Sequence, residues 1–249
     1  MKSNSENIIE VEHLEKKFGH FIAVNNISFS VKRGEVFGFL GANGAGKTTA
    51  IKMLIGLWKP TSGKATVAGF DLFTETEKIR RSIGYMAQRF ALYDDLSVME
   101  NIQFYGGIYG LKKNILNERA EKLIAELGME SFRKELLKNI PLGWKQKLAL
   151  SVAMIHEPKI VFLDEPTSGV DPITRRQFWD LIYKAAAKGT TVFVTTHYMD
   201  ESEYCDRVSI MVDGKIEALD TPAGLKKKFN AESMDEVFLK LARPAGIQI

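Results

Sequence analysis

The sequence predicts an α/β fold: a mostly parallel sheet, with an antiparallel β subdomain at the N-terminus and a helical subdomain inserted in it. Three observations predict it. Ile160-Val161-Phe162-Leu163 is a continuous apolar run closed by two acids, Asp164 and Glu165, which is the pattern of a parallel strand buried on both faces. Gly41-Ala42-Asn43-Gly44-Ala45-Gly46-Lys47-Thr48 lies between a short apolar run at 35–40 and a stretch with apolar positions at helical spacing, Ile51, Leu54 and Ile55. From 97 to about 132 the apolar period turns helical.

Each element follows in order. Residues 8–18 alternate in part, with Ile9, Val11 and His13 set against Ile8, Glu10 and Glu12, and read as a strand. Gly19-His20 is a turn. Residues 21–31 read as one or two strands with Val24, Ile27, Phe29 and Val31 apolar, and 32–35 turn into the strand at 35–40. Phe18 lies about one strand upstream of the glycine loop. An aromatic there can stack on a purine ring, although spacing alone favours a place in the core. Residues 60–63 are a turn, 64–68 a short strand closed by Gly69, and 83–86 another short strand that ends near Gln88. An amide at the end of a strand can ligate a metal or hold a water. Ser97-Val98-Met99-Glu100 matches a capping box, Ala120, Leu123, Ile124 and Leu127 form an amphipathic stripe, and Gly128 is a C-cap. Pro141-Leu142-Gly143 opens a helix running to about 156, ended by Pro158. A helix at 173–188 and a β-branched strand at 191–195 follow, with His197 directly behind that strand. Residues 208–212, the turn Asp213-Gly214 and 215–219 form a terminal hairpin. The rest is a helical tail anchored by Phe238, Leu239 and Leu241.

The glycine loop fits G-x-x-x-x-G-K-[ST] in the strand–loop–helix context that this pattern requires. The core is therefore that of a P-loop NTPase. Glycines let backbone N–H groups converge on an anion, and the helix N-terminus adds unpaired donors and a positive dipole end. The phosphate-binding set is Gly41, Asn43, Gly44, Ala45, Gly46, Lys47, Thr48 and Thr49. Lys47 would reach the β- and γ-phosphates, and the Thr48 hydroxyl would ligate Mg²⁺. Acids at the C-terminal end of a strand stand where α/β sheets place ligands. Asp164 is expected to hold the Mg²⁺ shell and Glu165 to act as general base on water. As neighbours on a strand they are expected to face opposite sides. His197 falls at the same sheet edge, within reach of a γ-phosphate, while His13, His20 and His156 read as structural or exposed.

Composition narrows the class. The chain has 249 residues, 45% of them hydrophobic, enough to bury a substantial core. A net charge of +3 is too mild to argue for a nucleic acid partner, and Lys226-Lys227-Lys228 reads as a solvated helix face. With one cysteine, Cys205, no intrachain disulfide can form. The polar first residues carry no signal peptide pattern, and no apolar run approaches the ~20 residues that span a bilayer. The chain is expected to be soluble by itself, so that at a membrane something else crosses.

With the loop, Gln88, Asp164-Glu165 and His197 in this order, the chain resembles the ATP-binding subunit of an ABC transporter over nearly its whole length, and looks closest to those of ABC-2-type, multidrug exporters. Phe162-Leu163-Asp164-Glu165-Pro166-Thr167-Ser168-Gly169-Val170-Asp171-Pro172 is similar to that family's Walker B and D-loop run. The resemblance implies ATP and Mg²⁺ as cofactors and a head-to-tail dimer that sandwiches two ATPs, each P-loop facing the partner's signature segment. It implies that Phe18 stacks on adenine, Gln88 is the Q-loop glutamine and a metal ligand with Thr48 and Asp164, Glu165 is the catalytic base and His197 the switch histidine. One ABC domain would fill residues 1–249. Residues 89–158 would form the helical subdomain that carries the signature and grips an integral membrane permease, and 222–249 a C-terminal helical tail. An apolar groove near 88–96, with Phe90, Leu92 and Tyr93, would accept a short helix of the permease. The expected location is cytoplasmic, peripheral at the inner face of the cell membrane.

One departure stands out. The signature, commonly Leu-Ser-Gly-Gly-Gln, aligns with Ile140-Pro141-Leu142-Gly143-Trp144. Pro141 replaces the serine that would contact the partner's γ-phosphate, and it offers neither a hydroxyl nor an N–H. Gly143 and the helix N-terminus remain as anion donors. Rival readings are a non-transport ABC ATPase of translation or DNA repair and one half of a tandem two-domain subunit. A purely regulatory ATP-binding module is opposed by Glu165 and His197, and a GTPase by the lack of an Asn-Lys-x-Asp motif.

Overall fold

The computed structural model describes residues 6–88 and 92–242. β1 (Asn7–Phe18) and β2 (Phe21–Lys32) pair antiparallel across the Gly19-His20 turn. β3 (Val36–Leu40) is buried throughout and runs through the glycine loop into α1 (Lys47–Leu54). β4 (Ser62–Val67) returns to the free edge of β1, and β5 (Phe70–Asp71) follows it. α2 (Thr76–Ser82) leads into β6 (Ile83–Met86). Then come α3 (Val98–Ile108), α4 (Lys113–Leu127) and α5 (Leu142–Ala153). β7 (Ile160–Asp164), α6 (Pro172–Ala187) and β8 (Thr191–Thr196) continue the chain. β9 (Arg207–Val212), β10 (Lys215–Asp220), α7 (Pro222–Lys228) and α8 (Met234–Ala242) end it.

The strands make two sheets, ordered β2-β1-β4-β5 and β10-β9-β3-β8-β7-β6. The first is antiparallel; in the second every pairing is parallel except that of the edge strand β10 with β9. Both faces of the parallel sheet are covered, which is why its strands read as unbroken apolar runs. On one face Phe29, Phe37, Phe39, Phe162 and Phe193 join the two sheets, with ring centroids 5.2–6.2 Å apart. On the other, Val161, Leu163, Val192 and Val194 pack with Phe178 and Trp179 of α6. The two-residue period of a strand produces this split, Phe193 going one way and its neighbours the other.

The helices between 98 and 153 pack on a core of their own, built from Val98, Ile102, Ala120, Ile124, Leu148 and Val152. The capping box at Ser97 is formed, and Gly128 closes α4 in the left-handed conformation with φ 66°. Several boundaries differ from the sequence reading. β4 starts at Ser62, two residues early, because its pairing with β1 reaches Glu15. α5 ends at Ala153 and turns through a left-handed Glu157, so 154–156 are not helical. β5, α2 and a 3-10 turn at Met199–Tyr204 have no counterpart in that reading. The described part of the helical tail consists of α7 and α8. Leu239 is 53% exposed and anchors nothing; Met234 and Val237 are the buried residues, with Phe238 and Leu241 packed beside them. Among the described residues no helix is long and apolar enough to cross a membrane.

Candidate active site

Four chain segments leave the parallel sheet at the same edge. Leu40 pairs with Thr196, Thr195 with Asp164, and Leu163 with Met86. The C-terminal ends of β3, β8, β7 and β6 therefore lie side by side, and the glycine loop, His197, the two acids and Gln88 come next on each.

The loop needs its glycines. At Gly46, φ is 105° and a Cβ would lie 2.4 Å from the Ala23 carbonyl oxygen; at Gly41 a Cβ would lie 2.5 Å from that of Met211. Asn43 and Gly44 are exposed at the tip, Ala45 is buried, and Thr49 is half-buried in α1. No side chain caps the N-terminus of α1. Its first N–H groups thus lack the acceptor that an N-cap residue supplies, and a phosphate can provide it. A cradle that no Cβ can enter and an uncapped helix start fit a nucleotide's phosphates. Lys47 is buried inside this cradle. Its Nζ donates to the Gly41 oxygen at 2.8 Å and the Ala42 oxygen at 3.1 Å, and lies 3.3 Å from Glu165 Oε1.

Asp164 ends β7. Its Oδ1 accepts hydrogen bonds from Thr195 Oγ1 at 2.7 Å and Thr48 Oγ1 at 3.3 Å. Burial pushes its carboxyl above the usual aspartate range, against the pull of these two hydroxyls. Oxygen donors of this kind suit Mg²⁺. Among the described residues no group of three or more His, Cys, Asp and Glu could hold a metal alone. A cation held by Thr48 and Asp164 would complete its shell with water and phosphate oxygens, as Mg²⁺ commonly does.

Glu165 is the first residue beyond the strand, not part of it. Its φ is 48°, left-handed for a residue with a Cβ, a conformation that costs about 1–2 kcal/mol. The expectation that strand alternation sets the two acids apart is corrected here: Glu165 lies beyond the strand, and its left-handed backbone sets its direction instead. The Glu165 N–H donates to Thr195, at 3.1 Å to the carbonyl and 3.0 Å to Oγ1. The carboxylate then meets three groups. Oε1 faces Lys47; Oε2 accepts from Gln88 Nε2 at 2.9 Å and lies 3.1 Å from His197 Nδ1. Facing a carboxylate, Nδ1 is the ring nitrogen that carries the hydrogen.

The structure thus brings together Lys47, Thr48, Gln88, Asp164, Glu165 and His197. Of the three expected metal ligands it pairs Thr48 with Asp164, whereas Gln88 bonds Glu165. Phe18 is not a core residue. Its strand ends there, and the ring is 44% exposed, edge-on to Trp58 at 5.3 Å. Gly143 lies against Thr174 of α6, where a Cβ would sit 2.6 Å from Thr174 Cγ2. Pro141 is the N-cap of α5 and supplies no side-chain cap. His156 bonds Ile83 at the opposite end of β6 and stacks on Tyr109, and His13 and His20 are exposed. Thr195, which joins both acids, escaped the sequence reading. The signal was present as a hydroxyl in an apolar strand two residues before His197.

Of the expected permease-docking residues, Phe90 lies outside the described residues, and Leu92 is half-buried against two hydrophobic cores. Tyr93 is half exposed and meets Phe104 edge-on at 5.0 Å. Together with Leu96, Asp94 and Asp95 they line a shallow cavity of about 310 Å³.

Comparison with known proteins gives a consistent picture. Residues 24–168 match the family model described as ABC transporter. The chain is 49% identical over 241 residues to the probable multidrug ABC transporter ATP-binding protein YbhF of Escherichia coli, covering 95% of this chain and 42% of that protein. It therefore spans less than half the length of that relative. It is 36% identical over 228 residues to the linearmycin resistance ATP-binding protein LnrL of Bacillus subtilis, covering 91% and 73%. The dimeric post-hydrolysis structure of the ATP-binding cassette MJ0796 bound to ADP and Pi matches with a TM-score of 0.77 at 26% identity, covering 86% of this chain and 98% of that one.

Proposed function

The chain belongs to the ATP-binding domains of the ABC transporter family, and from that premise we propose that it hydrolyses ATP at Glu165 to power a membrane exporter. The observation that carries this reading is the convergence of Lys47, Gln88 and His197 on one buried carboxylate beside the glycine loop. Loop amides and Lys47 bind the β- and γ-phosphates, with Lys47 exchanging its loop carbonyls and Glu165 for phosphate oxygens. Thr48 and Asp164 would hold Mg²⁺, which when bound would neutralise phosphate charge. Glu165, released from Lys47, takes a proton from the attacking water. Gln88 and His197, both on Oε2, orient that carboxylate. Phe18, exposed at the end of β1, stacks on the base.

Two ATP-binding domains close on two nucleotides and grip a permease through the segment 89–158, at the inner face of the cell membrane. Likeness to a multidrug transporter subunit supports export. Pro141 favours one version of this assembly, in which the partner is a non-identical domain with a serine in its signature. The length of YbhF agrees with a longer natural chain carrying both.

The test is Glu165→Gln in purified protein. ATP binding should persist while turnover falls by about 10²–10⁴-fold, the contribution of a positioned general base. Hydrolysis within about twofold of the parent would remove Glu165 from that role.

A further inference from the structure

Outside the site described above lies a second buried cluster of charge. Glu201, in the 3-10 turn after His197, is fully buried. Its Oε1 accepts a 2.5 Å hydrogen bond from Thr167 Oγ1 and lies 3.4 Å from Arg175 Nε of α6. Its Oε2 is buried with no partner. Arg175 also reaches Asp200 at 3.3 Å, and its guanidinium covers the ring of Tyr198 at 4.3 Å. A buried carboxylate with half its lone pairs unmet is costly to keep. Two groups hold it, the Thr167 hydroxyl and the Arg175 guanidinium, and neither belongs to the hydrophobic core.

Position along the chain gives the cluster its meaning. Thr167 follows Glu165 by two residues, and Glu201 follows His197 by four. The Thr167–Glu201 bond therefore ties together the two loops that carry the two ends of the Glu165–His197 contact. Arg175 faces the same carboxylate from α6 as an ion partner, its Nε making no hydrogen bond, and its stacking on Tyr198 holds the residue next to His197. The Gln146 amide of α5 reaches the Ser168 carbonyl at 3.4 Å, on the Thr167 side of the tie.

We infer that Thr167, Glu201 and Arg175 form a latch that sets the register of the His197 loop against the Glu165 loop, and so position the pair for hydrolysis. They are positioning residues; none touches the reacting atoms. The inference rests on the ATPase reading above. Displacing a catalytic group by about 1 Å can cost about 10²-fold in rate.

The experiment measures steady-state hydrolysis by the full-length protein as Thr167→Val and Thr167→Ser, each with His197 intact and with His197→Ala. Thr167→Val removes the donor at nearly constant shape; Thr167→Ser keeps it. The expected result for Thr167→Val is a kcat lower by about tenfold or more, with KM for ATP within about twofold, and recovery in Thr167→Ser. With His197→Ala in place, Thr167→Val should cost less than about twofold further, because the residue acts through His197. An unchanged kcat, or the same fold-loss in both backgrounds, overturns the inference. Glu201→Gln, which keeps the acceptor and weakens the pairing with Arg175, carries the same test should Thr167→Val fail to fold.

A second readout separates this inference from the reading beneath it. The ring-nitrogen NMR resonances of His197 should shift in Thr167→Val and return in Thr167→Ser. If the parent protein does not hydrolyse ATP, the functional reading fails while these resonances still decide on the latch. Resonances indifferent to Thr167 would overturn it.

Discussion

Asp164 is pulled two ways. Burial favours its neutral form, while the hydroxyls of Thr195 and Thr48 favour the anion, and burial prevails. Its pKa in the folded protein thus exceeds the unfolded value, so the folded state retains a proton that the unfolded chain has lost. Stability from this group is full below the unfolded value and falls as pH rises through the folded one. Above the unfolded value the burial of this carboxyl is a standing cost that a bound cation would offset. Asp164→Asn keeps an acceptor for both hydroxyls and removes that charge. Without nucleotide and Mg²⁺ it should melt higher than the parent at neutral pH, the difference vanishing in acid, and it should lose Mg²⁺-dependent hydrolysis. Thermal melts across pH check this; a variant melting below the parent at neutral pH would show that the carboxylate is not strained by burial. At this scale the sequence was partly legible. Two acids after four apolar residues stand out, but the left-handed turn at Glu165 does not, because no glycine marks it. Thr195 was hidden for another reason: a threonine among β-branched neighbours reads as strand propensity.

The helices differ in how they begin. Ser97 caps α3, Asp171 caps α6 and Thr221 caps α7, each through a side-chain oxygen. Pro141 gives α5 no such bond. Pro141→Ser should supply it, adding roughly 0.5–2 kcal/mol of stability and raising Tm by about 2–4 °C per kcal/mol for a chain of this size. The same hydroxyl would stand where the family's signature serine meets the partner's nucleotide. In a Glu165→Gln background with ATP, light scattering should then show more dimer with Pro141→Ser than without. A tight dimer with Pro141 in place would make the serine dispensable and remove the argument for a non-identical partner. Capped helices with a buried stripe, such as α4, were readable because their period runs over several turns. α2 was not: it buries only Ile79, too little to display a period.

On the scale of the whole molecule, the cavity under Tyr93 and Phe104 lies on the helical insert and is lined by none of the residues gathered around Glu165. Phe104 belongs to α3, so no pattern within 88–96 could reveal it. Phe104→Asp should leave basal hydrolysis within about twofold and abolish the stimulation that the proposed function expects from a membrane permease, since a charge in an apolar contact is costly to desolvate. Transport at the parental rate in proteoliposomes would place the docking surface elsewhere. The insert also has its own hydrophobic core, distinct from the aromatic cluster between the sheets, and α5 contributes to two cores, through Leu148 and Val152 on one side and Leu150 and Ala153 on the other. A molecule built this way need not open all at once. Amides of α3 and α4 should trade hydrogen for deuterium through partial openings of low free energy, while those of β3 and β8 should wait for global unfolding. Native-state exchange in rising denaturant would then resolve two isotherms, with α5 divided between them by face. Merging of α3, α4 and β8 into one isotherm would mean that the insert and the sheets rise and fall as a single cooperative unit.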